Sequence, residues 1–221
     1  MMRKKDIKQI INKLKEKYPE ATCSLDFSNP FQMAISVLLS AQCTDKRVNI
    51  VTKDFFKVAP NSKEMAKLTI EDIEKYIQTC GLYKNKAKNI YKLTQKIESE
   101  YNGIIPEDID KLMELPGIGR KSANVIMLEA FSNPQGVAID THAGRICNRI
   151  GISNNKDPNK IEQDLLKLLD KEDYYDANHL FVWHGRYTCK ARKPECINCN
   201  IQKYCKYYNE EVNKNKNKNK K

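Results

Sequence analysis

Leu115-Pro116-Gly117-Ile118-Gly119-Arg120-Lys121 is a turn rich in glycine that leads into a predicted helix. Pro116 and Gly117 favour a tight turn, and Gly119 leaves room for a close approach to the backbone. The free N–H groups of the helix start lie at the positive end of its dipole, where a phosphate can bind. That dipole disfavours the ammonium form of Lys121, and a neutral amine is a nucleophile. A solvated lysine in an ordinary connection between helices fits this stretch equally well.

Apolar residues recur at helical spacing along the rest of the chain. Thr69 and Asp72 resemble a capping box, and Gly103 is placed like a glycine that ends a helix. Residues 31–43 are apolar on most faces, which predicts a central helix that ends near the polar Gln42. No clean alternation of apolar and polar residues predicts a sheet. The sequence therefore predicts an all-α fold with short connections.

The charge pattern favours a polyanionic partner. The 221 residues carry a net charge of +11, and the segment 212–221 contributes five lysines and no acidic residue, so the rest of the chain carries +6. This moderately basic body suits transient binding of a polyanion. The Lys/Asn-rich segment 212–221 is predicted to be disordered. Both compositional drift and an electrostatic arm account for it.

The distribution of apolar residues and cysteines indicates the compartment. No window is apolar over the length of a membrane span, and the N-terminus lacks an apolar signal core, so we expect a cytoplasmic protein with no membrane partner. Four of the eight cysteines are scattered and are expected to be small buried residues of a reducing compartment.

The other four cysteines crowd together with the spacing C-x6-C-x2-C-x5-C: Cys189, Cys196, Cys199 and Cys205. Such a loop is expected to bind a soft metal ion or a cluster. The spacing favours an iron–sulfur cluster, and zinc stays open as the competing ligand. Between the first two cysteines, the loop would present Lys190, Arg192 and Lys193 to a phosphate backbone.

Three motifs in fixed order carry a family resemblance: the turn 115–121, then Val137-Ala138-Ile139-Asp140-Thr141-His142, then His184-Gly185-Arg186-Tyr187-Thr188-Cys189. Together they resemble the endonuclease III family of helix-hairpin-helix DNA glycosylases. The likeness spans residues 7–208, approximately, and includes Leu38-Leu39-Ser40-Ala41-Gln42 and Gly81-Leu82-Tyr83. The cysteine spacing matches the family's [4Fe-4S] loop, so the resemblance favours the cluster over zinc.

The resemblance implies a two-domain fold with a C-terminal cluster loop. Residues 23–133 would form a six-helix barrel domain that contains the helix-hairpin-helix at about 108–131. Residues 1–22 and 134–211 would form the iron–sulfur cluster domain. Double-stranded DNA would bind across the cleft, with Lys121 and Asp140 on opposite sides.

The resemblance also implies roles for single residues. Lys121 would be the Schiff-base lysine and Asp140 the catalytic aspartate, although Asp140 also suits the N-cap of a helix that begins near Thr141. Gln42 and Leu82 would insert into the duplex. The remaining DNA contacts are expected at Gly117, Gly119, Arg120, Lys190, Arg192 and Lys193. The departures from the family pattern are Cys43 after Gln42 and the acidic Glu195 in the basic loop.

The implied activity is that of a base excision repair glycosylase with AP lyase activity. It would remove oxidised or reduced pyrimidines, nick the strand 3′ to the abasic site by β-elimination, and act as a monomer. One alternative is the adenine-mismatch branch, which lacks the lysine at this position and usually carries a further domain. Another is a non-catalytic DNA-binding or redox module. His142 is expected to be a packed, hydrogen-bonding residue, and neither His179 nor His184 is assigned a catalytic role.

Overall fold

The protein is described by a computed structural model in which residues 2–212 are characterised. The predicted disorder of the Lys/Asn-rich segment falls almost entirely on residues outside this range. The helices are α1 (Lys4–Lys17), α2 (Pro30–Ser40), α3 (Asp45–Val58), α4 (Ser62–Met65), α5 (Ile70–Ile77), α6 (Tyr83–Tyr101), α7 (Ile109–Met113), α8 (Arg120–Phe131), α9 (Thr141–Ile150), α10 (Pro158–Leu166) and α11 (Tyr174–Tyr187). Short helical turns lie at Lys171–Asp173, Cys196–Asn198, Gln202–Tyr204 and Tyr208–Val212. Within residues 2–212 there is no strand, so the predicted all-α class is confirmed.

The described chain forms two compact units. One unit is Cys23–Gln135, and the other combines the described residues up to Thr22 with those from Gly136 onward. Their assignment as a six-helix barrel and a cluster domain, with limits at 23–133 and at 1–22 with 134–211, stays a prediction.

Helix α2 is the centre of the Cys23–Gln135 unit. It packs against α3, α6 and α8, and residues 31–39 are all buried. The predicted end of this helix was wrong, because α2 stops at Ser40 and Gln42 adopts a left-handed backbone with φ 52°. Ala41 leaves the helical region first, with ψ at 114°. Gln42 therefore lies in a loop and not at a helix end.

Local signals set two further helix boundaries of this unit as predicted. The Thr69 side chain accepts from the backbone N–H of Asp72, and the Asp72 carboxylate accepts from the N–H of Thr69, which completes the capping box of α5. Gly103 follows the end of α6 with φ 81° and donates its N–H to the carbonyl of Ile97. Both motifs satisfy backbone groups that a helix end leaves unpaired.

The second unit is built on α1, α9, α10 and α11. Its core is apolar and includes Ile10, Leu14, Ile146 and Phe181, all of them fully buried. Helices α9 and α11 approach closely at Gly185, where a Cβ atom would stand 2.7 Å from the Cβ of His142. Among the described helices, none is long and apolar enough to cross a membrane.

Candidate functional site

The turn 115–121 joins α7 to α8, and two of its apolar side chains are buried. Leu115 and Ile118 are buried, so they fix the turn on the core of the Cys23–Gln135 unit. Gly117 has φ 84°, and a Cβ there would lie 2.9 Å from Leu38 Cδ1, so the fold itself requires glycine. Gly119, the N-cap of α8, has no atom within 4 Å of a Cβ position. Packing therefore does not require glycine at 119, and the space beside it is open.

Lys121 is the second residue of α8, and its side chain is exposed. The helix beneath it is held by buried residues such as Ala123, Ile126 and Met127. Within residues 2–212, the Lys121 side chain makes no hydrogen bond or ion pair. Its neighbour Arg120 is partly buried. The amine of Lys121 is thus carried on a rigid element without being engaged by another described side chain.

Asp140 is the N-cap of α9, which confirms the capping role predicted for it beside the catalytic one. Its Oδ1 accepts hydrogen bonds from the backbone N–H groups of His142, at 2.8 Å, and Ala143, at 2.7 Å. No described residue donates to Oδ2. The buried residues Val137 and Ile139 hold the preceding segment in place. Asp140 belongs to a different compact unit from Lys121, and the predicted meeting of the two stays a prediction.

Gln42 and Leu82 lie on two adjacent loops. The carbonyl oxygen of Gln42 is 3.2 Å from the position of a Cβ on Gly81, so the backbones of the two loops touch. Both side chains are exposed, and Leu82 has φ 58° beside the 52° of Gln42. A left-handed backbone is costly for residues with a Cβ and is concentrated at functional sites. The structure therefore brings these two predicted DNA contacts together.

The cysteine loop shows the same kind of backbone strain. Among the described non-glycine residues with positive φ, Asn102 and Ser132 are helix C-caps, whereas Lys193 lies in the loop with φ 49°. Lys193 and Arg192 are exposed. Lys190 pairs with Glu195, 2.7 Å from Nζ to Oε1, and this partner lowers the pKa of the Glu195 carboxyl. Glu195, the acidic departure from the family pattern, thus engages Lys190, which is one of the three predicted phosphate contacts.

One small pocket is lined by all four clustered cysteines: Cys189, Cys196, Cys199 and Cys205. A single tetrahedral zinc ion with Zn–S bonds of about 2.3 Å holds its sulfurs about 3.8 Å apart. In the described chain, no three of the four sulfurs lie within 4.8 Å of one another. The four sulfurs thus line one space without being gathered as tightly as a single zinc ion would hold them.

Burial makes three of these thiols, Cys196, Cys199 and Cys205, poor acids without a metal. It raises the pKa of Cys205 to about 11 and raises the pKa values of Cys196 and Cys199 as well, and the neighbouring thiols add to the effect. Four thiolates in this pocket therefore need a compensating positive core, which an iron–sulfur cluster supplies.

Arg145 and Arg149 on α9 hold the cysteine loop, and neither residue was predicted from the sequence. Arg149 Nη1 donates to Cys189 Sγ at 3.4 Å and to the carbonyl of Lys190 at 2.7 Å. Arg145 donates to the carbonyls of Cys189 and Gly185, at 2.9 Å and 2.8 Å. The available signal was their spacing of four residues on one amphipathic helix, which is also typical of a solvated face.

The two histidines of the motifs both make hydrogen bonds inside the second unit, and for His142 this confirms the prediction. His142 Nδ1 lies 3.2 Å from Arg145 Nη2, so it is a packed, hydrogen-bonding residue. His184 is buried, with Nδ1 3.2 Å from the hydroxyl of Tyr18 and Nε2 3.6 Å from Cys199 Sγ. Burial lowers the pKa of His184 to about 4, so its imidazole is neutral at neutral pH.

Comparisons with known proteins identify the family. Residues 35–171 match the model of the HhH-GPD superfamily of base excision DNA repair proteins. The chain is 44% identical to endonuclease III of Escherichia coli strain K12 over 199 residues, which is 90% of this chain and 94% of the relative. It is 41% identical to endonuclease III of Bacillus subtilis strain 168 over 207 residues, or 93% of this chain and 94% of the relative.

A solved non-covalent endonuclease III–DNA complex matches the fold with a TM-score of 0.90 and 38% identity, covering 96% of this chain and 100% of the other. A thermostable thymine-DNA glycosylase, 23% identical with a TM-score of 0.84, shares the fold over 93% of this chain and 97% of its own. The chain belongs to the HhH-GPD superfamily and, within it, to the endonuclease III family of bifunctional DNA glycosylases and AP lyases.

Proposed function

We propose that Lys121 is the nucleophile and Asp140 the proton acceptor of a glycosylase that removes oxidised or reduced pyrimidines from double-stranded DNA and cleaves at abasic sites. The observation that carries this proposal is the Lys121 amine. It is exposed at the start of α8, beside a turn whose Gly119 leaves open space, and it is unengaged by any described side chain. An unpaired amine at the positive end of a helix dipole is suited to meet a phosphodiester strand.

Access to a base inside a duplex requires its nucleotide to be flipped out, at a cost of a few kcal/mol that damage reduces. Gln42 and Leu82 are the proposed gap fillers. Their adjacent loops and left-handed backbones support this role, because the exposed side chains are presented together on a rigid support.

In the proposed chemistry, the Lys121 amine attacks the anomeric carbon C1′ while the bond from C1′ to the base breaks. Opening of the sugar ring gives an imine, which draws electrons and acidifies the C2′–H bond. Loss of that proton expels the 3′ phosphate by β-elimination, and water then hydrolyses the imine and frees the lysine. Asp140 accepts the proton of the attacking amine and stabilises positive charge on the sugar. Its Oδ2, which no described residue occupies, is the proposed acceptor.

The four clustered cysteines are proposed to hold a [4Fe-4S] cluster: Cys189, Cys196, Cys199 and Cys205. The cluster would supply structural cross-linking of a loop that has little regular structure of its own. Arg145 and Arg149 would orient this loop through its carbonyls. Arg192 and Lys193, held on the loop, would then contact phosphates of the DNA backbone, and Lys190 would do so after release from Glu195.

The proposed setting is the cytoplasm, in association with the nucleoid, and the enzyme is proposed to act as a monomer. Free thiols throughout the chain suit a reducing compartment. The solved endonuclease III–DNA complex with the same fold supports DNA as the partner.

Borohydride trapping tests the proposed nucleophile. Wild-type protein mixed with duplexes that contain an abasic site or an oxidised pyrimidine should form a covalent adduct when the imine is reduced. Lys121→Ala should abolish the adduct while DNA binding persists. Lys5→Ala is a matched control, because Lys5 is also an exposed second residue of a helix, α1.

The same lesion panel separates this function from its alternatives. No adduct on any damaged pyrimidine or abasic site would contradict the proposed nucleophile. Release of adenine from a mismatch, without an adduct, would favour the mismatch branch. Iron and acid-labile sulfide at four each per chain are expected, whereas stoichiometric zinc would contradict the cluster.

A further inference from the structure

A chain of four hydrogen bonds runs from the protein surface to one of the clustered cysteines. Lys17 Nζ donates to Thr188 Oγ1 at 2.9 Å, and Thr188 Oγ1 lies 2.7 Å from the hydroxyl of Tyr18. That hydroxyl lies 3.2 Å from Nδ1 of His184, whose Nε2 lies 3.6 Å from Cys199 Sγ. Helix α1, at the start of the chain, thus reaches the cysteine loop near its end.

The inner members of this chain are buried. Tyr18 is 7% exposed, Thr188 3% and His184 1%, whereas Lys17 is exposed at the outer end. The Tyr18 ring is also packed. Its centroid lies 5.9 Å from the centroid of the His184 ring and 6.3 Å from that of the Trp183 ring. Buried polar groups keep their partners, because losing one leaves an uncompensated group. The geometry of the chain is therefore fixed by packing as well as by hydrogen bonds.

The chemistry of the two ends sets the direction of every bond. A lysine ammonium has no lone pair and can only donate, and a thiolate that binds a metal has no proton and can only accept. Because the thiolate accepts from Nε2–H, Nδ1 of the imidazole accepts from the Tyr18 hydroxyl, and the Tyr18 oxygen in turn accepts from Thr188. The proton of the imidazole is left on Nε2, facing the sulfur of Cys199.

We infer that His184 is a positioning residue for the cluster, oriented by Tyr18 so that its Nε2–H donates a hydrogen bond to the Cys199 thiolate. This inference rests on the [4Fe-4S] cluster of the proposed function. A donor at a ligand sulfur stabilises the more negative oxidation state, so the bond raises the reduction potential. It also draws electron density from the sulfur and so weakens the Fe–S bond to Cys199.

Tyr18→Phe tests the relay with little change of shape, because the ring and its packing are kept while the donor to His184 is lost. The variant should lower the reduction potential of the cluster, measured by protein-film voltammetry, and move an Fe–S stretching band to higher frequency in resonance Raman spectra. Thr188→Val should shift both in the same direction by less, and His184→Leu, which removes the N–H donor itself, should shift both in that direction as well. The thermal midpoint of Tyr18→Phe serves to exclude general unfolding as the cause.

Tyr187→Phe is the matched control. Tyr187 also packs edge-on against Trp183, with ring centroids 5.4 Å apart, but it is 53% exposed and makes no described hydrogen bond to the relay. Its potential and Fe–S bands should equal those of the wild type. Wild-type values in Tyr18→Phe and His184→Leu would overturn the inference without contradicting the proposed cluster. Zinc in place of iron and sulfide would count against the proposed cofactor itself, so the two failures are distinguishable.

Discussion

The two carboxylate oxygens of Asp140 have different surroundings. Oδ1 accepts both amide hydrogen bonds of the α9 N-cap, and Oδ2 has no described donor. Asparagine is as good an N-cap as aspartate, but its amide cannot accept a proton from an amine. Asp140→Asn should therefore keep the free energy of unfolding within about 0.5 kcal/mol of wild type, while the rate of borohydride trapping falls by about 10²-fold or more.

Asp140→Ala should lose both the N-cap and the proton acceptor. Its trapping rate should fall as in Asp140→Asn, and its free energy of unfolding should also drop by about 1 kcal/mol. Asp157→Asn is the matched control. One carboxylate oxygen of Asp157 accepts the corresponding pair of backbone N–H bonds at the start of α10. Its trapping rate and its urea midpoint should both stay at wild-type values. Near-normal trapping by Asp140→Asn would show that the carboxylate is only a cap.

At the scale of elements, the two glycines of the turn 115–121 are required for different reasons. Gly117 has φ 84° and a crowded Cβ position, so Gly117→Ala should lower the free energy of unfolding by about 1–3 kcal/mol. Gly119 has an extended backbone, with φ −99°, and open space. Gly119→Ala should lower stability by less than about 1 kcal/mol, as the loss of a glycine cap does, but it should weaken DNA binding.

Urea denaturation and DNA titration of the two variants measure these effects. If Gly119→Ala binds DNA as tightly as wild type, close approach of the phosphate backbone to Gly119 is contradicted. If Gly117→Ala is as stable as wild type, the turn has an alternative conformation.

Helices α9 and α11 depend on Gly185 for their contact. A Cβ at this position would stand 2.7 Å from His142 Cβ and 3.2 Å from its Cα, so the helices must separate. Gly185→Ala should lower the free energy of unfolding by about 1–3 kcal/mol and loosen the cysteine loop, because Arg145 bonds the carbonyls of both Gly185 and Cys189.

Gly144→Ala, in the same helix pair, is the control. Its new Cβ would meet Ile139 and Ile161 at 3.4 Å and 3.5 Å, which is ordinary contact, inside a helix where alanine is favoured over glycine. Thermal unfolding should rank Gly185→Ala below wild type and Gly144→Ala at or above it. The reverse order would contradict the proposed close packing at Gly185.

The sequence predicted those elements whose cause is local. The capping box of Thr69 and Asp72 and the N-cap of Asp140 depend on residues within one helical turn, and both are present. The predicted end of α2 near Gln42 was too late, because the backbone leaves the helical region at Ala41 and neither Ala41 nor Gln42 is a glycine that would signal it. Arg149 was missed for a different reason. Its partner Cys189 lies 40 residues away, and only the packing of α9 beside the loop brings them together.

At the scale of the whole molecule, the four clustered cysteines all lie in one of the two compact units of the described chain. Cys189, Cys199 and Cys205 are packed against the core of that unit, beside residues of α1, α9 and α11. The core of the Cys23–Gln135 unit is a separate cluster of apolar side chains centred on α2. Each unit therefore has its own source of stability.

Loss of the cluster should consequently loosen one unit selectively. In Cys199→Ser, the remaining thiols would be left buried without the metal that compensates them, and metal binding contributes directly to folding. Hydrogen exchange, followed by mass spectrometry, should accelerate in α9 and α11 and stay near wild-type rates in α2 and α8. Cys147→Ala is the control, because Cys147 is a fully buried thiol of the same unit, outside the cluster pocket. It should keep its iron content. Equal acceleration in both units of Cys199→Ser would show that the cluster stabilises the whole chain, and no acceleration would show that the cysteine loop contributes little to the fold.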